Sequence, residues 1–423
     1  MLGIIKSKLK DRLIKDISLM FFSSSAENVF NLIFWLFMVR HLRPDEYGNL
    51  NSLVSALVIF SLPTMTIRLG ITRFISEFSS RQDWGKIKSI IFRLGQKLIY
   101  VSLLILCLFV FLYKPLGNYL RISDPSSLFF LLVLVLFNIF SPITQATLQG
   151  LERFGHLSVN IGISGLVKLI CGILFVSLGF GYLGALGGFL CGSIFAFSLS
   201  LFQIPKMLWR AKVSLSKSFP LLPIFKYFFT VGLAMLTFGI LTNIDVIMVK
   251  HYFSPQDAGY YSISQMVGKI ILFLPAAFSI VLFPKTSGLS SLNKNTFPLL
   301  KKFMLLAGAI IFIAVIIVLV LPGAIIKILT AKTDLVLIPL ARLFAIGMGM
   351  YAMVSILLNY HLSIKNTRYI YICVLFCCLE VASILLFHQN LKTILYILIF
   401  TSSCLFLLGL REAIYRGSIY AES

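Results

Sequence analysis

Apolar runs of about 18 residues or more recur along nearly the whole chain, and that recurrence decides most of what it can fold into. A run of roughly 20 apolar residues crosses the hydrocarbon as a helix, whereas a strand in lipid leaves an edge of unpaired backbone groups. No soluble core could absorb this excess. Of 423 residues 59% are hydrophobic and 12% are charged, against roughly 45–50% and about 25% in soluble domains. The sequence therefore predicts an all-α integral membrane protein. Twelve spans are read, at about 17–40, 48–69, 90–113, 126–149, 158–180, 182–204, 226–250, 259–284, 302–322, 336–361, 369–387 and 393–410.

A motif occurs twice. Val39-Arg40-His41 leads to Pro44-Asp-Glu46-Tyr-Gly48 and then Phe60-Ser-Leu-Pro63. Val249-Lys250-His251 leads to Pro255-Gln-Asp257-Ala-Gly259 and then Phe273-Leu-Pro275. The copies start about 210 residues apart, half the chain, which marks a duplicated unit. Pro44 and Pro255 fix φ, and Gly48 and Gly259 are expected to let the chain turn into the next helix. Six spans precede the basic, proline-bearing connector 205–225 and six follow it. Because six is even, the halves enter the membrane from the same side, as two six-helix bundles related by a parallel repeat. A ligand is then expected in a central cavity where the halves meet. The predicted divisions are 1–16, a basic amphipathic helix on the membrane surface; 17–204, the first bundle; 205–225, the linker; 226–410, the second bundle; and 411–423, a tail.

A net charge of +22 would suggest nucleic acid in a soluble protein. Here the distribution gives a different reason. If both termini are cytoplasmic, the inner segments hold 23 Lys and Arg and the outer ones 8. That bias sets the termini inside and both Pro-x-acid-x-Gly turns outside. No nucleic-acid partner is expected. The seven cysteines all lie in apolar segments without zinc spacing, so they read as small apolar residues. No small-residue cleavage site follows the first apolar run, which is expected to stay as a span. No zinc-protease, nucleotide-loop or hydrolase motif is present, so no enzyme activity, metal or cofactor is expected and ATP is not the direct energy source. Gly179-x-Gly181-x-x-Gly184 has the outline of a dinucleotide fingerprint but falls in an outward turn between two spans.

Several stretches carry a resemblance: Leu42-Arg-Pro-Asp-Glu-Tyr-Gly48-Asn-Leu, Leu148-Gln-Gly150-Leu-Glu-Arg153-Phe, the Gly179–Gly184 run, Asn243-Ile-Asp245, Gly259-Tyr-Tyr261-Ser and Leu282-Phe-Pro284-Lys. From about residue 11 to 411 the chain resembles the bacterial polysaccharide (O-antigen type) flippases of the multidrug/oligosaccharidyl-lipid/polysaccharide exporter superfamily. The resemblance implies twelve helices in two V-shaped bundles around a cavity. It implies a cargo of lipid-linked oligosaccharide on undecaprenyl pyrophosphate, moved to the periplasmic leaflet of the bacterial inner membrane. A polysaccharide polymerase and a chain-length regulator are the partners to look for, membrane lipids the surroundings, and a monomer the expected state.

Ionisable residues inside spans cost about 2.5–3.5 kcal/mol on insertion scales and normally face protein or water. Glu27 lies near mid-membrane with Asn31 one turn on. Lys269 lies near mid-membrane with Gln265 one turn before it. With Arg342, Arg68 and Gln145 they form the predicted cargo-binding set; a cation suits a pyrophosphate, and the polar end of span 4 suits sugar hydroxyls. Asp245, Glu27, Lys168 and Glu380 are the candidates for ion pairing or coupling. Helix packing is the alternative weighed against function, and for Asp245 it explains the residue equally simply. Lys168 and Glu380 rank lower, because the resemblance places their helices at the periphery. Two other functions are weighed. A multidrug or cation antiporter of the same superfamily would need a cavity dominated by carboxylates, whereas cations outnumber carboxylates here. A membrane glycosyltransferase or polymerase would need a large extramembrane loop, and the longest connector is about 22 residues.

Overall fold

The structure, a computed structural model, describes residues 2–122, 124–206, 208, 222–275, 278, 282, 286–287, 289–290, 295–331 and 334–419. Most of the 205–225 linker, the Phe-Pro284-Lys part of one motif and residues 420–423 lie outside these. Among the described residues, fourteen α-helices are delimited, in order: α1 (Leu2–His41), α2 (Pro44–Ser80), α3 (Trp84–Leu120), α4 (Pro125–Gly150), α5 (Phe154–Phe175), α6 (Gly181–Gln203), α7 (Leu222–Leu241), α8 (Ile244–Tyr252), α9 (Pro255–Phe273), α10 (Phe297–Val320), α11 (Pro322–Thr330), α12 (Leu337–Ser363), α13 (Thr367–Leu386) and α14 (Leu391–Ile419). Nine described segments are long and apolar enough to cross a membrane, and one of them, Phe154–Gln203, holds both α5 and α6. The protein is an all-helical, multi-pass membrane protein.

The termini of these helices follow from local chemistry. Asp83 and Asp124 cap α3 and α4, accepting from Lys86 N at 3.2 Å and Ser126 N at 3.0 Å. Pro44 and Pro255 open α2 and α9 at the first turn, where no backbone donor is lost. Gly48 and Gly259 are helical, not left-handed; the glycines with positive φ are Gly179 (91°) and Gly181 (53°). The expectation that Gly48 and Gly259 free the chain to turn is therefore corrected. The turn is made before the helix, and the glycines meet a packing demand instead. A Cβ on Gly259 would stand 2.0 Å from Pro44 O, and one on Gly48 would stand 3.0 Å from Gly259 N. The two copies of the motif touch each other, backbone to backbone. At the Gly179–Gly184 turn, a π-helix (Val176–Phe180) ends α5 and the two positive-φ glycines reverse the chain. The fingerprint-like spacing is a helix hairpin.

Contacts divide the chain into two compact units. The first comprises Met1–Leu42 and Phe60–Phe228; the second comprises Arg43–Ile59 and Phe229–Ser423. The N-terminal part of α2, within Arg43–Ile59, thus packs with the second unit although it precedes most of the first in sequence. In the first unit α5 lies between α1 and α6. Small residues allow this: a Cβ on Gly188 would lie 2.6 Å from Gly172 Cα, so the helices meet backbone to backbone. In the second unit α12 is central, buried along most of its length against α9, α10 and α14. The predicted span 226–250 is two helices, α7 and α8, broken at Thr242–Asn243, where Asn243 Nδ2 returns to Gly239 O at 2.9 Å.

Candidate functional site

Among the described residues each unit holds a polar cluster, half-buried in the first and buried in the second. In the first unit, α1 presents Glu27 and Asn31 on one face, one turn apart. Lys168 of α5 donates to Asn31 Oδ1. Its ammonium also lies 4.8 Å from the Phe189 ring centre and 5.5 Å from that of Phe34, so two aromatic faces hold the cation. Gly165 leaves room for Glu27, since a Cβ there would be 3.2 Å from Glu27 Cγ. Lys168 and Arg68 are the positive charges that Glu27 feels, and Arg68 Nε donates to Gln149 Oε1 at 3.4 Å. Glu27, Lys168, Gln145, Asn138 and Ser193 border a cavity of about 230 Å³ among α1, α4, α5 and α6.

In the second unit, the α7–α8 break places Asp245 in the first turn of α8, where the helix dipole favours an anion. Tyr261 OH donates to Asp245 Oδ2 at 2.9 Å. Gln265 Nε2 donates to both carboxylate oxygens at 3.3 Å. Gln265 Oε1 in turn accepts from Asn51 Nδ2 at 3.1 Å. Asn51 stands one turn beyond Gly48, so the contact of the two repeated motifs brings it to Gln265. Asp245, Tyr261, Gln265 and Asn51 are all buried. A buried carboxylate with this many donors retains partners for its lone pairs. Lys269, one turn beyond Gln265, is half-buried and donates to Asn243 Oδ1 at 3.0 Å. Among the described residues it has no carboxylate within 4.0 Å.

The remaining predicted residues stand apart. Glu380 is fully buried and accepts from Tyr351 OH. Arg342 is exposed, and its Nε donates to Leu319 O at 3.1 Å, satisfying a carbonyl in the last turn of α10. Gln145 Nε2 donates to Ser141 Oγ at 3.0 Å. The sequence reading did not single out Tyr261, Tyr351, Asn51 or the role of Asn243 as acceptor for Lys269. Asn243 and Tyr261 sit inside quoted motifs, and that was the available signal. For Asn51 and Tyr351 there was none, because their partners lie 214 and 29 residues away.

The chain is thus one of apolar, membrane-length helices in two units, each with its own polar cluster. Residues 37–339 match a family model described as "Polysaccharide biosynthesis protein", and the chain belongs to that family. Among solved structures, an inward-facing multidrug resistance MATE family transporter of the MOP superfamily aligns with TM-score 0.70 at 11% identity, covering 93% of this chain and 96% of its own. An outward-facing MATE family transporter aligns with TM-score 0.64 at 14% identity, covering 98% and 97%. The lipid II flippase MurJ aligns with TM-score 0.68 at 19% identity, covering 95% and 87%. At these identities the likeness is one of fold. No curated protein matches in sequence.

Proposed function

We propose that the protein is a flippase that carries a lipid-linked oligosaccharide, on undecaprenyl pyrophosphate, from the cytoplasmic to the periplasmic leaflet of the bacterial inner membrane by alternating access. Membership of a polysaccharide-biosynthesis family supports a glycan cargo. The observation that carries the cargo's charge is Lys269, a half-buried cation held by the neutral amide of Asn243 rather than by a carboxylate. Asp245 lies within its field but, among the described residues, makes no ion pair with it within 4.0 Å, so the ammonium keeps donors for an anion. Moving a bare ion out of water costs several kcal/mol even after relaxation, so a fixed cation on the route lowers the barrier for pyrophosphate. A hydrated ammonium also releases its partner more readily than a bidentate guanidinium. Coupling to an ion gradient is assigned to the buried carboxylates Asp245 and Glu380, with the Glu27–Lys168 pair as the equivalent in the first unit. Both termini are cytoplasmic, the monomer is the working unit, and polymerase and chain-length regulator act on the product.

The fold likeness to multidrug transporters gives a second reading, cation antiport. It needs a carboxylate whose charge is left for the cargo, whereas Glu27 faces two cations. The test is surface glycan in a deletion strain carrying Lys269 variants at equal protein level. Lys269→Arg keeps part of the wild-type amount, Lys269→Ala loses most and Lys269→Glu loses all. Full complementation by Lys269→Glu sinks the reading.

A further inference from the structure

We infer that the cavity of the first unit is a subsite for one uncharged sugar ring of the cargo. This rests on the glycan-transport reading above and goes beyond it, since it assigns glycan selection to residues of the first unit alone. The size comes first. About 230 Å³ falls below the roughly 300–1,000 Å³ of sites for drug-sized ligands, which leaves room for a single ring and not for a bulky amphiphile.

The lining fits the chemistry of a sugar. Phe137 and Phe189 supply aromatic surface for the C–H face of a ring. Asn138 Nδ2 donates to Leu134 O at 2.9 Å and Gln145 Nε2 to Ser141 Oγ at 3.0 Å. Among the described residues, that leaves both amide oxygens as acceptors for hydroxyl groups. Ser193 adds a hydroxyl that both donates and accepts.

Charge decides the class of sugar. The lining contains one carboxylate and one ammonium, Glu27 and Lys168, each within the other's field. Lys168 is further occupied by Asn31 and the two phenylalanine rings. The pocket is therefore polar without net charge. An uncharged hexose or N-acetylhexosamine finds hydroxyl partners there. The Glu27 carboxylate opposes a uronic acid, and the Lys168 ammonium opposes a lipophilic cation.

Trp35 reports on this cavity, because its ring centre lies 6.2 Å from that of Phe189. Two of the three tryptophans, Trp84 and Trp209, are replaced by Phe, and the full-length protein is placed in nanodiscs. Glucose, N-acetylglucosamine, glucuronate and tetraphenylphosphonium are titrated against Trp35 emission. The expected result is saturable quenching by glucose or N-acetylglucosamine in the millimolar range, weaker quenching by glucuronate and none by the phosphonium. Gln145→Ala removes one acceptor and weakens sugar binding about tenfold; Ser193→Leu fills the cavity and abolishes binding. If Ser193→Leu does not fold, Gln145→Ala at an unchanged melting temperature carries the test. Quenching that neither variant alters, preference for glucuronate or the phosphonium, or no saturable quenching at all overturns the inference. Loss of export in Lys269→Glu without sugar quenching leaves the flippase reading standing and the subsite refuted. Sugar quenching with export intact in Lys269→Glu does the reverse.

Discussion

Asp83 shows how much one half-buried side chain can settle at a helix start. Its Oδ1 accepts from Lys86 N at 3.2 Å, its Oδ2 meets Lys86 Nζ at 2.6 Å, and the same ammonium lies 5.6 Å from the Phe78 ring centre. The side-chain bond from Lys86 holds the Asp83 carboxyl below the usual carboxylate range. A depressed folded pKa means that the cap's contribution is present above the unfolded value, near 4, and is lost as pH falls through the folded value. Hydrogen exchange at residues 84–88 should therefore speed up on acidification below about pH 4 in the wild type. In Asp83→Asn it should be faster at neutral pH and nearly independent of acid. An unchanged acid response in that variant would show that another group controls the start of α3. At the same scale, counting depth along α1 placed Glu27 and Asn31 on one face, and the structure turns that face to Lys168. Lys168 ranks lower in sequence because the resemblance places its helix at the periphery; α5 lies directly on α1 through Gly165 and Gly172, and no periodicity within either helix reveals which neighbour it will have.

The pair of proline-led helix starts belongs to the scale of elements. An alanine at a helical glycine normally stabilises by about 0.5–1 kcal/mol. Here the sign should reverse. Gly259→Ala drives a methyl to within 2.0 Å of Pro44 O, which only separation of α2 and α9 can relieve. Gly48→Ala brings a methyl to 3.0 Å from Gly259 N, which a shift of a few tenths of an ångström can relieve. Folded yield and melting temperature should fall for both, and further for Gly259→Ala. Equal or raised stability would mean that the two motifs do not touch. The repeated motif was legible, since Val-cation-His and Pro-x-acid-x-Gly recur in both copies. That the copies meet was not legible, because similarity reports common ancestry and says nothing of contact. The α7–α8 break was equally silent. Thr242 and Asn243 are neither Pro nor Gly, and hydropathy runs on through them. What breaks the helix is side-chain return bonding, from Thr242 Oγ1 to Phe238 O at 2.9 Å and from Asn243 Nδ2 to Gly239 O at 2.9 Å.

For the whole molecule, hydropathy made the all-helical, multi-pass class legible, because every helix must answer to lipid over its own length; of the twelve spans read, nine membrane-length segments stand among the described residues. The division into units was less so. Contacts assign Arg43–Ile59 to the second unit and Phe60 onward to the first, and α2 passes from one to the other without a break in sequence pattern. Orientation rests on charge alone, 23 basic residues on one side against 8 on the other, and it carries the direction of transport with it. The exposed Gln256 opens α9 after the second repeated turn, and Ser214 lies in the basic connector. In a background without the seven native cysteines, Gln256→Cys should react with a membrane-impermeant maleimide in intact cells. Ser214→Cys should react only after lysis. If both halves enter from the same side, as the even span count predicts, the two sites report one orientation and cannot compensate for each other. The reverse labelling would put the connector outside and invert the proposed direction, making the protein an importer of whatever Lys269 holds. Labelling of both sites in intact cells would mean mixed insertion, in which case the charge bias does not govern this chain.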